Sequence, residues 1–177
     1  MIEKVDYENK QVLKNLYQLY LHDLSVYIDE DIDAAGLYDV DFINEFWETE
    51  GLSAFFIKSN ARVLGFILLQ NGKYAPPSGE DYYISEFFIL RKYRRNAVGK
   101  RAVEKLFDVF PGKYLLCEIP TNNLAIIFWK SIYLQFKLDF KESLEDLQGG
   151  EFLFQRFEVK RIVNKDSKQE IKEGLKM

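Results

Sequence analysis

Apolar positions along this chain switch between a helical and a strand period. From about Asn9, Leu13, Leu16, Tyr17, Tyr20 and Leu24 recur three or four residues apart, which predicts an amphipathic helix. Ile2–Val5 ahead of it reads as a short strand, and Phe42, Phe46 and Trp47 suggest a second, short helix. "SAFFIK" and "RVLGFILLQ" flank "SNA" and predict a hairpin. After the Gly/Pro-rich loop "NGKYAPPSGED", the run "YYISEFFIL" (82–90) is dense enough in aromatic and aliphatic residues to predict a buried strand. A helix is expected from about Ala97 to Phe110, burying Val98, Ala102, Leu106 and Val109 and stopping at Pro111-Gly112. "KYLLCEI" then predicts a strand and "TNNLAIIFWKSIYLQ" a helix with Asn or Thr at its cap. "FKLDFKE" and "EFLFQRFEV" predict a closing strand pair. The order βααβββαβαββ implies one α/β domain, 1–159, with a mixed, mostly antiparallel sheet of six or seven strands and about four helices. Residues 160–177 read as a charged, frayed tail.

Composition narrows the chemistry. Apolar residues make up 47% of the 177, enough for a substantial core, and the net charge of −4 argues against a general nucleic-acid binder. No run is long enough to span a bilayer and the first residues carry no apolar signal, so a cytoplasmic protein without membrane contact is expected. One histidine (His22) and one cysteine (Cys117) leave no ordinary zinc set, no intramolecular disulfide and little room for a nucleophile–histidine pair. Two charge runs stand against this background. Residues 23–50 hold ten acids and no Lys or Arg, whereas six of the eleven residues in 91–101 are Lys or Arg.

The basic run lies between a buried strand and a helix start. A helix N-terminus presents unpaired N–H groups and partial positive charge, and Ala97 and Gly99 are small enough to let an anion approach the backbone. Neither a Walker loop nor a G-x-G-x-x-G is present. Arg94-x-x-Ala97-x-Gly99 resembles the Q/R-x-x-G-x-G/A motif of the GNAT superfamily of acyl-CoA-dependent N-acetyltransferases. Asn122-x-x-Ala125-x-x-Phe128-Trp129 is similar to the family's second motif on the following helix. The likeness covers about Ser53 to Val159.

That resemblance implies a GNAT fold and acetyl-CoA as acyl donor. The pyrophosphate would bind at Arg94, Arg95, Asn96, Ala97, Val98, Gly99 and Lys100. Carbonyl and pantetheine would bind along Phe88, Ile89 and Leu90, and Asn122 and Phe128 would add contacts from the second motif. It also implies a small amine acceptor, attacked directly onto the acyl group, in a monomer or homodimer. Two expectations about Ala97 and Trp129 follow. As a residue entering a helical turn, Ala97 should have negative φ and no backbone strain. Trp129 occupies the place where many relatives carry a tyrosine acid, and indole N–H is a very poor acid, which leaves Tyr133, one turn on, as the candidate. A non-catalytic acyl-CoA-binding domain is the alternative that Trp129 makes credible.

Glu86 is the candidate base. A carboxylate on a buried strand has a raised pKa unless it is paired, and the competing reading is an ion pair at the sheet rim. If the acids of 23–50 wall the acceptor site, as the first helices do in this fold, the amine should be cationic; a solvated acidic surface is the plain alternative.

Overall fold

The strand-period segments assemble into one seven-stranded sheet with helices on both faces, in a computed structural model that describes residues 1–71, 74, 78–147 and 149–160. The strands are β1 (Ile2–Lys4), β2 (Leu52–Ser59), β3 (Arg62–Asn71), β4 (Tyr82–Ile89), β5 (Gly112–Glu118), β6 (Phe140–Leu147) and β7 (Gly150–Val159). The helices are α1 (Lys10–Leu24), α2 (Glu45–Glu48), α3 (Val98–Val109) and α4 (Asn123–Phe136). Spatial order is β1-β2-β3-β4-β5-β7-β6, and each neighbouring pair is antiparallel except β4–β5. A parallel pair needs a crossover, and α3 supplies it.

Each face of the sheet has its own core. On one, Leu13, Leu16 and Tyr17 of α1 and Phe46 of α2 pack on Phe56, Phe66, Leu68 and Phe88. On the other, Val103, Leu106 and Phe107 of α3 and Trp129, Ile132 and Tyr133 of α4 cover Ile67, Leu69, Ile84, Tyr114, Leu116 and Phe157. Removing such side chains from water contributes about 1.5–3 kcal/mol each. Val109, expected inside, is the last residue of α3 and is 59% exposed; Val103 and Phe107 fill that stripe instead.

The closing strand pair is shifted from its expected place. Phe136 belongs to α4, which ends where Lys137 turns left-handed (φ 52°) and the Leu138 N–H donates to the Tyr133 carbonyl at 2.9 Å. The strand starts at Phe140 and runs through polar residues to Leu147, a composition suited to the sheet edge it forms. Most of the tail, 161–177, and residues 72, 73 and 75–77 of the Gly/Pro-rich loop lie outside the described residues.

One irregularity positions the functional residues. In the β3–β4 ladder Leu69 pairs with Ile84 but Leu68 pairs with Glu86, so Ser85 is a bulge. The extra residue reverses the side-chain alternation. Ile84 points to the α3–α4 core, while Glu86, two residues on, points to α1. Gly65 of β3 lets the strands close at the far end, because a Cβ there would lie 1.9 Å from the Phe88 carbonyl oxygen.

Candidate active site

Beyond the bulge, β4 leaves β5. The parallel ladder consists of Tyr82↔Tyr114, Tyr83↔Leu115 and Ile84↔Leu116, after which no pairing joins the two strands. The Leu90 N–H donates to the Leu64 carbonyl of β3 at 2.8 Å. Antiparallel alternation then turns the amides of Glu86 and Phe88 to β3 as well, and those of Phe87 and Ile89 into the open gap. Alternation lets only some of Phe88, Ile89 and Leu90 offer amides to the gap, and of the three Ile89 does so. Phe88 and Leu90 spend theirs on the sheet, and Phe87, absent from the expectation, takes their place.

The basic segment closes one end of this gap. After a 3-10 turn (Arg91–Tyr93), Arg95 and Ala97 are both left-handed, with φ of 62° and 55°. Ala97 therefore departs from the unstrained helical entry expected of it; a non-glycine residue there costs about 1–2 kcal/mol. Left-handed Ala97 followed by helical Val98 is the kind of backbone alternation from which anion nests are built. Among the described residues no side chain caps α3, which leaves the first-turn amides of Val98, Gly99 and Lys100 without a partner there. Gly99 sits tight against the neighbouring elements: a Cβ would come within 3.0 Å of Phe128 of α4 and 3.5 Å of Phe87 of β4, whose rings stack at 5.4 Å.

The cations of the loop divide into two groups. Arg91 Nε donates to Asp23 Oδ1 at 2.7 Å, and Arg94 bonds the other Asp23 oxygen while its Nε donates to the Ile89 carbonyl at 2.7 Å. Partial burial of Asp23 opposes its ionisation, yet the hydrogen bonds from Arg91 and Arg94 outweigh that and hold its carboxyl below the usual range. Arg94, the first residue of the motif, thus fastens the loop to the end of α1. Arg95 and Lys100 have no acidic partner among the described residues. The backbone of Asn96 accepts a bond from Arg101 at 3.3 Å.

Glu86 is half-buried and held by two tyrosines of α1. Tyr17 donates its hydroxyl to Oε1 at 2.8 Å and Tyr20 donates to Oε2. Burial pushes its carboxyl up to about 7, against the two hydrogen bonds, which pull it down. Each oxygen keeps a second lone pair, so the group can still accept a proton. The sheet-rim ion pair considered for Glu86 is not made. Tyr17 and Tyr20 read as core positions in the helical periodicity; the overlooked signal was that buried tyrosine hydroxyls need acceptors.

On α4, Asn122 caps the helix by accepting from the Ala125 N–H at 3.3 Å. Trp129 is buried edge-on against Phe87 and Phe128. Tyr133 does not turn to the gap. It is 1% exposed, packed on Phe140 and Phe157, and gives its hydroxyl to Gln155 of β7 at 2.6 Å. Burial, and the charges of Glu118 and Glu142, push its hydroxyl far above the ordinary tyrosine range. Cys117, half-buried, has its thiol pushed up to about 11 by burial and by neighbouring acids, which makes it inert.

The acidic stretch is divided between two places. Asp23 is bound to the two arginines. Asp31, Asp33, Asp39 and Asp41 border a groove against Gln11, Lys14, Asn15 and Gln18, on the side of α1 opposite Tyr17 and Tyr20. Lys14 pairs with Asp41 at 3.0 Å. Glu30 is the member whose charge bears on Tyr17. Of the ten acids, then, four border a groove away from the Glu86 tyrosines, and Glu30 lies near enough for its charge to reach Tyr17.

No functionally curated protein matches the chain. Among solved structures, a GNAT-family protein from Bacteroides thetaiotaomicron superposes with a TM-score of 0.63 at 17% identity, over 99% of this chain and 95% of that one. The ribosomal-protein-S18-alanine N-acetyltransferase from Escherichia coli gives 0.57 at 13%, covering 94% and 97%. Arabidopsis thaliana NAA60 in complex with acetyl-CoA gives 0.54 at 13%, covering 89% and 96%. Those likenesses carry the fold. Residues 13–132 match the acetyltransferase (GNAT) family, a span that runs from the tyrosine-bearing helix through the parted strands and basic loop to α4. With that match over most of its length, the chain belongs to the GNAT acetyltransferase family.

Proposed function

We propose that this protein transfers an acetyl group from acetyl-CoA to a primary amine by direct attack, with no covalent enzyme intermediate. The observation that carries the reading is the β4–β5 gap, with the inward amides of Phe87 and Ile89 on one wall and an uncapped, basic helix start at one end. Unpaired N–H groups at the start of α3, a nest at Arg95–Val98 and the unpartnered Arg95 and Lys100 suit a diphosphate. Arg94 serves by holding the loop. The Phe87 and Ile89 amides would receive the acyl oxygen and the donor's amide arm, and Phe128 and Asn122 would border that arm from α4. Supporting the donor's identity, a fold relative carries acetyl-CoA in its structure.

Glu86 acts as the base in this reading. Transfer needs the amine neutral, and a carboxylate whose pKa lies near 7 can take the amine's proton at neutral pH, directly or through a water. Tyr17 and Tyr20 hold the carboxylate toward the α1 face, where the acceptor would approach. The reading is tested by mass-spectrometric detection of N-acetyl products from acetyl-CoA and a panel of polyamines, aminoglycosides, amino acids and peptides. At least one amine should be acetylated; coenzyme A binding without acetylation of any amine would reduce the protein to a binding domain.

A further inference from the structure

Resting on the acetyl-transfer reading, we propose that Glu118 is the general acid of this enzyme, giving its proton to the sulfur that leaves the acyl carbon. Glu118 is the last residue of β5, two beyond Leu116, where the ladder to β4 ends. Strand alternation sets it on the same face as Leu116, under α4, across the gap from Phe87 and opposite the face that carries Glu86. It is 6% exposed, and neither carboxyl oxygen has a hydrogen-bond partner among the described residues. A buried carboxyl without a partner is a rare and unfavourable arrangement, and folding tolerates it best when the group keeps its proton.

The surroundings favour that protonated state. Burial and the charge of Glu142 on β6 push Glu118 up to about 8, against the opposing charge of Lys130 on α4. Lys130 is drawn off by Glu142, its ion-pair partner at 3.1 Å. Gln155 of β7 is occupied by Tyr133 and by Glu142, to which its Nε2 donates at 2.7 Å. Cys117, adjacent on β5, is a protonated thiol. An ordinary alkyl thiol titrates near 8.5, so proton transfer from such an acid to a leaving thiolate is nearly balanced in energy.

The step balances. The amine nitrogen bonds to the acyl carbon as the carbon–sulfur bond breaks, Glu86 takes the proton released by nitrogen, and Glu118 supplies the proton that sulfur gains. An amide and a thiol result, and solvent returns the proton from Glu86 to Glu118. Trp129, which cannot supply a proton, packs beside Phe87 on the face where Glu118 lies. Sequence reading passed Glu118 over because it lies inside the apolar run "KYLLCEI".

The test combines two readouts on the full chain. Glu118→Gln should lower kcat about 10²-fold, the low end for acid catalysis because a thiolate leaves readily, and should erase a fall in kcat expected of the wild type above about pH 8. Independently of any amine, the thiol of bound coenzyme A, followed by thiolate absorbance, should titrate about one unit lower in the variant, since a carboxylate beside it no longer repels the thiolate. Glu118→Leu, which makes that strand face apolar, should give the same thiol shift and guards against a misfolded variant. Acetylation by the wild type with an unchanged thiol titration and pH profile in both variants would overturn the role of Glu118 alone. If the wild type binds coenzyme A but acetylates nothing, the transfer reading fails, and the thiol titration still decides whether Glu118 lies beside the sulfur. Failure of the wild type to bind coenzyme A would overturn both.

Discussion

Two glutamates flank the β4–β5 gap from opposite faces of the sheet, and they are treated in opposite ways. Glu86, facing α1, accepts hydrogen bonds from two tyrosines; Glu118, facing α4, accepts none among the described residues. Burial raises both, but the tyrosine hydroxyls pull Glu86 back to about 7, while Glu118 stays at about 8. Hydrogen-bond supply is one difference between them, and the charge of Glu142 beside Glu118 is another; the proposed roles of proton acceptor and proton donor draw on both. Both environments trace to small backbone choices: the Ser85 bulge turns Glu86 to α1, and regular alternation in β5 leaves Glu118 under α4.

The harshest way to break this contrast is Glu86→Gln. It keeps acceptor and shape on one oxygen but cannot take a proton, so kcat should fall about 10²–10⁴-fold while coenzyme A affinity, measured by calorimetry, stays near the wild-type value. A variant at near-native rate would show that the amine loses its proton elsewhere. Arg95→Glu with Lys100→Glu leaves both glutamates untouched and acts on the donor. Reversing the charges of exposed Arg95 and half-buried Lys100 at the α3 start should weaken coenzyme A binding about 10–100-fold and shrink the rise in melting temperature expected from coenzyme A. Gly99→Glu is a poorer probe, because any Cβ there presses on Phe128.

Tyr20→Phe sharpens the comparison by making Glu86 more like Glu118. The ring contacts with Phe66 and Phe88 remain, and only the donor is lost. Loss of a hydrogen bond to the charged form raises the carboxyl pKa, so the acid limb of kcat/KM, expected near pH 7 in the wild type, should move upward by about one unit. An unmoved limb would mean that Glu86 is not the group titrating. The smallest effect is expected from Ala97→Gly, which relieves a left-handed alanine at some cost in chain entropy. A net gain below about 1 kcal/mol, read by chemical denaturation, is the expected result.

Much of the fold was legible because its elements follow strong periods. The α1 stripe, the β2–β3 hairpin, the aromatic β4 run and the α3–β5–α4 succession all carry patterns that packing then uses. The basic loop at the start of α3 was legible for a similar reason, since six cations beside small residues stand out in an acidic chain; that Arg91 and Arg94 would turn to Asp23 was not. Legibility failed where tertiary geometry decides. Whether Phe87 or Phe88 offers its amide to the gap depends on the register with β3, which no local pattern reveals. Ala97 looked like a helical residue and is left-handed because the loop curls before α3 begins. Tyr133 has the right spacing on α4, yet β6 and β7 enclose it. Tyr17, Tyr20 and Glu118 were hidden for a shared reason: polar atoms on otherwise apolar faces read as core until their partners, or the lack of them, are seen.

The central claim is that the donor lies in the β4–β5 gap, with chemistry between the two glutamates. A crystal structure of the full chain with coenzyme A tests it most directly. The account predicts the diphosphate on the amides of Val98, Gly99 and Lys100, the pantetheine arm hydrogen-bonded to Phe87 and Ile89, and the sulfur beside Glu118. Coenzyme A bound elsewhere, with β4 and β5 zipped together beyond Ile84 and Leu116, would contradict it.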